Sequence, residues 1–368
     1  MNGIKTFLVL NSGSSSEKFS LYEGENELKS LYFEDASDKF SEAKAVFESE
    51  GLINENRPLD GIVVRIVASG KYFAKNHIVD EETFYELEKA STINPLHVPS
   101  VIRDIKNAQV AFPEVPVIII SDSEVLMRPS RKDFVYALPE RIIDEFGFGR
   151  FGAHGSSYGY IIGKMKELGI LEKRTVVCHL GSGCSVTAFV DGEPTYTSMG
   201  ETPLEGLMSS TRSGSIDPTI GALLGEKLGA MEAIRILNIE SGLLALAGTH
   251  DTREIIAGNE RGDKKSVLAY NMFVDKVVGK IGEFAAKMSG IDTIVFTATI
   301  GERSVPIRTS VISRLEFMGF RIKENAEIDR TLDYTNVAEE GSKPIYVIPT
   351  NEAAYMIKKA KELIDGVE

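Results

Sequence analysis

The sequence predicts an α/β protein of two similar domains that face each other across a cleft. Three observations carry this. Strand-like apolar runs alternate with helical patterns along the chain, and 368 residues exceed what one domain ordinarily holds. The opening stretch "FLVLNSGSSSEKFSLYEGE" (7–25) is also echoed by "VVCHLGSGCSVTAFVDGE" (176–193), 168 residues on. Each reads as strand, Gly/Ser turn, strand, then an acidic-glycine turn. Gly13-Ser14 falls on Gly181-Ser182, and Glu23-Gly24-Glu25 on Asp191-Gly192-Glu193.

In chain order, apolar alternation predicts strands over 6–10 and 18–22, with a helical pattern over 39–49. A strand over 61–67 follows. Asp80-Glu-Glu before Thr83 starts a helix over 81–91, and Pro99-Ser100 opens one over 99–111. The run 116–121 closes the first series as a strand. From Arg174 a second strand series begins, then mostly helical sequence. Within it, 262–290 reads as one long amphipathic helix and 292–297 as a buried strand. No linker is rich in Pro, Gly or Ser, so the domains are expected to pack together.

Composition removes several function classes. No apolar run approaches the roughly 18 residues needed to span a bilayer, and 6–10 is too short for a signal-peptide core. Cys178 and Cys184 make no disulfide framework, which fits a reducing cytoplasm, and their plainest reading is two small buried thiols on a hairpin. A formal charge of −13 with no basic run makes nucleic acid and anionic membranes poor partners. An anionic small substrate then requires particular arginines that reverse the sign locally.

The Gly/Ser hairpins suggest such a substrate. Glycine permits φ above zero, so successive backbone N–H groups converge on an anion, and serine hydroxyls add donors. This is not the Walker loop: its motif is absent, and both turns lead into strands rather than helices. A single Gly/Ser hairpin is usually only a turn; two suggest phosphates held from both sides.

Six stretches occur in the order seen in the acetate kinases of the actin-like sugar kinase and Hsp70 superfamily. They are "NSGSSSEKFSLY" (11–22), "FGAHGSSYGY" (151–160), "CHLGSGCSV" (178–186), "SMGETPLEGLMSSTRSGSIDP" (198–218), "FTATIGERS" (296–304) and "IPTNE" (348–352). The chain resembles that family over essentially its whole length. The resemblance implies two duplicated actin-like (ribonuclease H-like) α/β domains with an interdomain nucleotide cleft. Residues 1–123 with 351–368 would form the first, and 124–350 the second, carrying the nucleotide pocket and a dimer surface. It further implies a homodimer that moves phosphoryl reversibly between ATP and a short carboxylate, acetate or its propionate and butyrate homologues, with Mg²⁺ or Mn²⁺.

Residue roles follow from the same resemblance. Arg65 in "VVRIVAS" and Arg212 in "STRSGS" match two active-site arginines, whose paired donors grip carboxylate or phosphoryl as lysine cannot. His154 matches a histidine that stabilises the transferring group, and Asp122, ending "VPVIIISD", a carboxylate near the metal. Asn11 and Glu352 match metal-side positions; Asp122 and Glu352 could equally start helices. Val67, Leu96, His97 and Pro203 match the acyl side. Lys18, Ser14, His179, Leu180, Gly181, Ser182 and Gly183 match phosphate contacts. Asp251, Thr252, Arg253, Ala298, Thr299, Ile300, Gly301 and Arg303 match the adenosine side.

Several positions depart from the family pattern. Ala298 and Thr299 stand where it has two glycines, and Arg303 where it has Asn. Bulk there is expected to narrow the adenosine pocket, opening the alternatives of weak ATP use, another nucleotide, pyrophosphate as donor, or a catalytically weak acyl-phosphate- or nucleotide-binding protein. Ala153 replaces the aromatic before the family histidine, which is expected to enlarge the acyl pocket. Val64, Ala68-Ser69, Leu126, Tyr158, Ser182 and Ser215 depart as well.

Overall fold

In a computed structural model, residues 4–12, 17–33, 39–95, 98–128, 131, 133–324, 326–329 and 331–366 are described, without the side chains of 11, 12 and 17. The chain groups into two compact units: 1–127 with 155–160 and 351–368, and 128–154 with 161–350. This grouping differs from the bounds expected from sequence, 1–123 with 351–368 and 124–350, at residues 124–127 and 155–160.

The first unit holds β1 (Thr6–Ser12), β2 (Glu17–Glu23), β3 (Asn26–Phe33), β4 (Gly61–Ile66), β5 (His77–Ile78) and β6 (Val117–Ser121), in the order β3-β2-β1-β4-β6-β5. The second holds β7 (Arg174–Leu180), β8 (Cys184–Val190), β9 (Glu193–Thr197), β10 (Thr293–Thr297), β11 (Thr335–Asn336) and β12 (Ile345–Val347). Read from its β9 edge, its order is β9-β8-β7-β10-β12-β11. Step for step the two sheets agree, including antiparallel hairpins, parallel β1-β4-β6 and β7-β10-β12, and an antiparallel last strand. Both hairpins even carry a bulge at the same step, Leu21/Tyr22 and Ala188/Phe189.

Register corrects one sequence alignment. Ser12 pairs with Glu17, but Leu180 pairs with Cys184, so the second turn is one residue shorter. Beyond the turn Gly24 therefore corresponds to Asp191, not Gly192. Both take positive φ, 61° and 53°, because two-residue hairpin turns that match strand twist demand it.

Each sheet buries one face under helices. In the first unit Phe40, Phe47, Val101 and Ile105, from helices 39–49 and 98–111, share a core with Leu8, Leu10, Ile62 and Val64. Each such side chain contributes about 1.5–3 kcal/mol of burial. Helix 81–93 is entered by a capping box in which Asp80 and Thr83 bond each other's backbone. The long helix runs Lys264–Lys287, capped by Asp263 through Ser266 N at 2.9 Å. Its stripe Tyr270, Phe273, Val274, Val277, Ile281 and Phe284 lies in the second core with Cys178, Cys184, Ile294 and Phe296. The opposite face of β7, β8 and β10 carries His179, Ser185 and Thr297 alongside apolar Val177, Phe189 and Val295. No helix among the described residues is long and apolar enough to cross a membrane.

Candidate active site

In the first unit, parallel strands β4 and β6 deliver two groups at their carboxyl ends. Arg65 pairs in register with Ile120, and Asp122 N continues the ladder by donating to Ile66 O at 3.0 Å. Arg65 Nε donates to Asp122 Oδ2 at 2.9 Å, Nη2 bonds the same oxygen, and Nη1 reaches Glu352 Oε2 at 3.4 Å. Glu352 opens the last helix, Glu352–Ile364, which Asn351 caps through Ala354 N.

Asp122 is wholly inaccessible. Burial alone would push its carboxyl up; the Arg65 charge and hydrogen bonds, with the Ser156 amide, outweigh this and hold it below the usual carboxylate range. On the same logic burial would lower Arg65, but the Asp122 and Glu352 charges raise it. Asp122 Oδ1 accepts from Ser156 N at 3.2 Å and its carbonyl from Gly155 N at 2.8 Å. A Cβ on Gly155 would lie 2.1 Å from that carbonyl oxygen, so only glycine fits there.

In the second unit, His154, His179, Gly183 and Arg212 converge. His154 stacks on His179 with ring centroids 4.0 Å apart, and its Nδ1 lies 2.8 Å from Ser185 Oγ. A Cβ on Gly183 would sit 3.0 Å from Arg212 Nη1 and 3.2 Å from His154 Nε2. Glycine thus lets both groups converge on one corner of the turn, where a Cβ would crowd them. Arg212 rides on a turn closed by Ser209 N to Arg212 O at 3.1 Å, packed so closely on Gly242 that a Cβ there would meet Ser209 O at 2.2 Å. Ser210 N bonds Ser182 O at 3.2 Å, tying this turn to the glycine hairpin.

Beside that hairpin, Ala298 starts the short helix Ala298–Arg303. It is 7% exposed at φ 65°, a region that favours glycine. Its Cβ lies 3.4 Å from where a Cβ on Gly181 would stand. Leu180, Ile300 and Gly301 are buried, whereas Ser182, Thr299 and Arg303 are exposed.

Asp251 caps helix 252–260 through Arg253 N and pairs with the Arg253 guanidinium at 2.6 Å, which holds its carboxyl at about 2. Thr252, half-buried, begins that helix. Lys18 lies 3.0 Å from Glu27 across β2 and β3. Val67 is half-buried just past β4, and Pro203 and Ala153 are buried. The Asn11 side chain, and Ser14, Leu96 and His97 altogether, lie outside the described residues. Gly155 went unread in the sequence, and Ser185 was read only as the end of the glycine turn; strand alternation from His179 is the signal that could have pointed to its side chain.

A metal would find hard oxygen donors at Asp122 and Glu352, and no group of three or more His, Cys, Asp or Glu side chains among the described residues could hold one alone. Two carboxylates suit Mg²⁺, which keeps several waters and shares phosphate oxygens.

The duplicated sheet with its glycine hairpins is that of the actin-like phosphotransferases. Residues 24–359 match the model of the acetokinase family. The chain is 30% identical to acetate kinase of Halothermothrix orenii, over 98% of this chain and 99% of that one. To acetate kinase of Carboxydothermus hydrogenoformans it is 37% identical, over 87% and 81%. A crystal structure of a propionate kinase from Francisella tularensis superposes with TM-score 0.86 at 31% identity, over 97% and 99%. Acetate kinase from Entamoeba histolytica gives 0.85 at 26%, over 98% and 100%. This chain belongs to the acetokinase family and is a phosphotransferase with a carboxyl group as acceptor.

Proposed function

We propose that the protein transfers phosphoryl reversibly between ATP and a short-chain carboxylate, acetate first and propionate or butyrate besides, giving acyl phosphate and ADP. The observation that carries this is the convergence of Arg212 Nη1 and His154 Nε2 on Gly183, 3.0 Å and 3.2 Å from where a Cβ there would stand. Similarity to acetate kinases supports acetate, and similarity to a propionate kinase, with Ala153 in place of an aromatic, supports a longer acyl chain. A carboxylate is already ionised at neutral pH, so transfer needs positioning and charge stabilisation rather than a general base. Arg212 and His154 bear on the transferring phosphoryl, and the Gly181–Gly183 backbone on the donor's phosphates. Arg65, fixed by Asp122, relieves repulsion between the two anions. Asp122, Glu352 and Asn11 would hold Mg²⁺ or Mn²⁺, which supplies charge neutralisation on the phosphate oxygens when bound.

Ala298 favours a second reading, in which pyrophosphate or phosphate replaces the nucleotide. Its methyl occupies a glycine-type conformation against Gly181, and Thr299 follows it. Acetyl phosphate consumption by pure protein with Mg²⁺ separates the two. Loss on adding ADP, with matching ATP formed, is expected. Loss on adding inorganic phosphate alone would establish the second reading, and loss with neither would sink both.

The protein is further proposed to act as a cytoplasmic homodimer. Buried, unpaired Cys178 and Cys184 suit a reducing compartment. Helix Pro218–Leu228 buries no side chain, although Ile220, Leu223 and Leu228 are apolar and 47–51% exposed. Such a surface suits a second copy of itself. Light scattering is expected to give twice the chain mass, and Leu223→Glu to halve it; a monomeric wild type would end this reading.

A further inference from the structure

His154 holds φ 64° and ψ 24°, a backbone state that a residue with a side chain rarely adopts. Such a state persists where neighbours over-determine it, and it gathers at working sites. Among the neighbours that restrain the His154 ring, His179 and Ser185 come from one place. His179 and Ser185 are paired directly across β7 and β8, so their side chains leave the hairpin together on one face. His179 covers the face of the His154 ring, while the Ser185 hydroxyl meets its edge at Nδ1. Ser185 is fully buried. Nε2 lies on the Gly183 side of the ring, 3.2 Å from where a Cβ on that glycine would stand.

We propose that Ser185 is a positioning residue for phosphoryl transfer: its bond to His154 Nδ1 turns Nε2, with its hydrogen, to the corner shared with Arg212. This rests on the transfer reading above. A hydroxyl both donates and accepts. Beside a neutral ring it donates to bare Nδ1, which places the ring hydrogen on Nε2. Beside an imidazolium it accepts from Nδ1–H, and Nε2 keeps its hydrogen. In either state Nε2 offers an N–H to charge developing on the phosphoryl oxygens, and no proton need change hands. Without the hydroxyl the neutral ring is free to take the other tautomer, whose bare Nε2 repels an anion.

Ser185→Ala is expected to lower kcat at least about tenfold while leaving the KM for both substrates within about twofold. Ser185→Thr, which keeps the hydroxyl, should recover most of that loss. In a His154→Ala background Ser185→Ala should add nothing, because no ring is left to position; a merely structural role would cost activity in both backgrounds. Nitrogen-15 NMR of the wild type should show the neutral His154 ring protonated at Nε2, and Ser185→Ala a mixture of tautomers. Those spectra need no turnover. An inactive wild type would therefore defeat the transfer reading while still testing the Ser185 bond. A ring protonated at Nδ1 in the wild type, or wild-type kcat in Ser185→Ala, would overturn the proposal.

Discussion

Arg212→Ala is expected to lower kcat by about three orders of magnitude while the folded state keeps its stability. The guanidinium and His154 Nε2 bear on one corner, where a Gly183 Cβ would lie 3.0 Å and 3.2 Å from them. Charge that grows on transferring oxygens is stabilised best by donors fixed in advance, so the loss should fall on kcat more than on KM. The turn itself is held by backbone: Ser209 N to Arg212 O, Ser241 N to Thr211 O and Leu243 N to Ser209 O survive removal of the side chain. Arg212→Lys should recover little, since an ammonium cannot offer two fixed donors. Steady-state kinetics beside a urea titration checks both halves. A loss below tenfold would remove Arg212 from the chemistry, and a wild type without turnover would leave a binding protein.

Arg65→Ala is expected to cost about 3 kcal/mol of stability besides activity, because it strands a buried carboxylate. Asp122 is wholly inaccessible, and two of the Arg65 nitrogens bond one of its oxygens. The pH dependence should change sign. In the wild type burial would raise the Asp122 pKa, but Arg65 outweighs it and the net shift is down. Its contribution is therefore present above the ordinary value of 3.8 and lost as pH falls below that. With Arg65 gone, burial dominates and the folded pKa rises above 3.8. Stability then falls as pH climbs from 3.8 towards that raised value. Urea midpoints of wild type and variant between pH 3.5 and 7 measure this, and parallel curves would refute it. Removing Asp122 as well should cost less than the two single losses added, since no buried charge is left unpaired.

What the sequence by itself determined is local or periodic. Strand alternation, the Asp80 and Asp263 caps and the long helical stripe are written within a few residues, where hydrogen-bond reach and 3.6-residue spacing decide the outcome. The duplication was readable for a similar reason, because each glycine hairpin is a contiguous stretch. Even so, its one-residue difference in turn length appears only once strands pair. Partners were not readable. Arg65 meets Asp122 57 residues away and Glu352 287 away, whereas Lys18, Asp251 and Arg253 take nearby partners of their own. Strand order brings Arg65 and Asp122 together, and the last helix returns Glu352 to them. Ser185 looks like any strand serine until its cross-strand partner is known to be His179. Which polar groups share a buried site is a long-range property of the folded chain, because burial and proximity arise from tertiary packing rather than from neighbours in sequence.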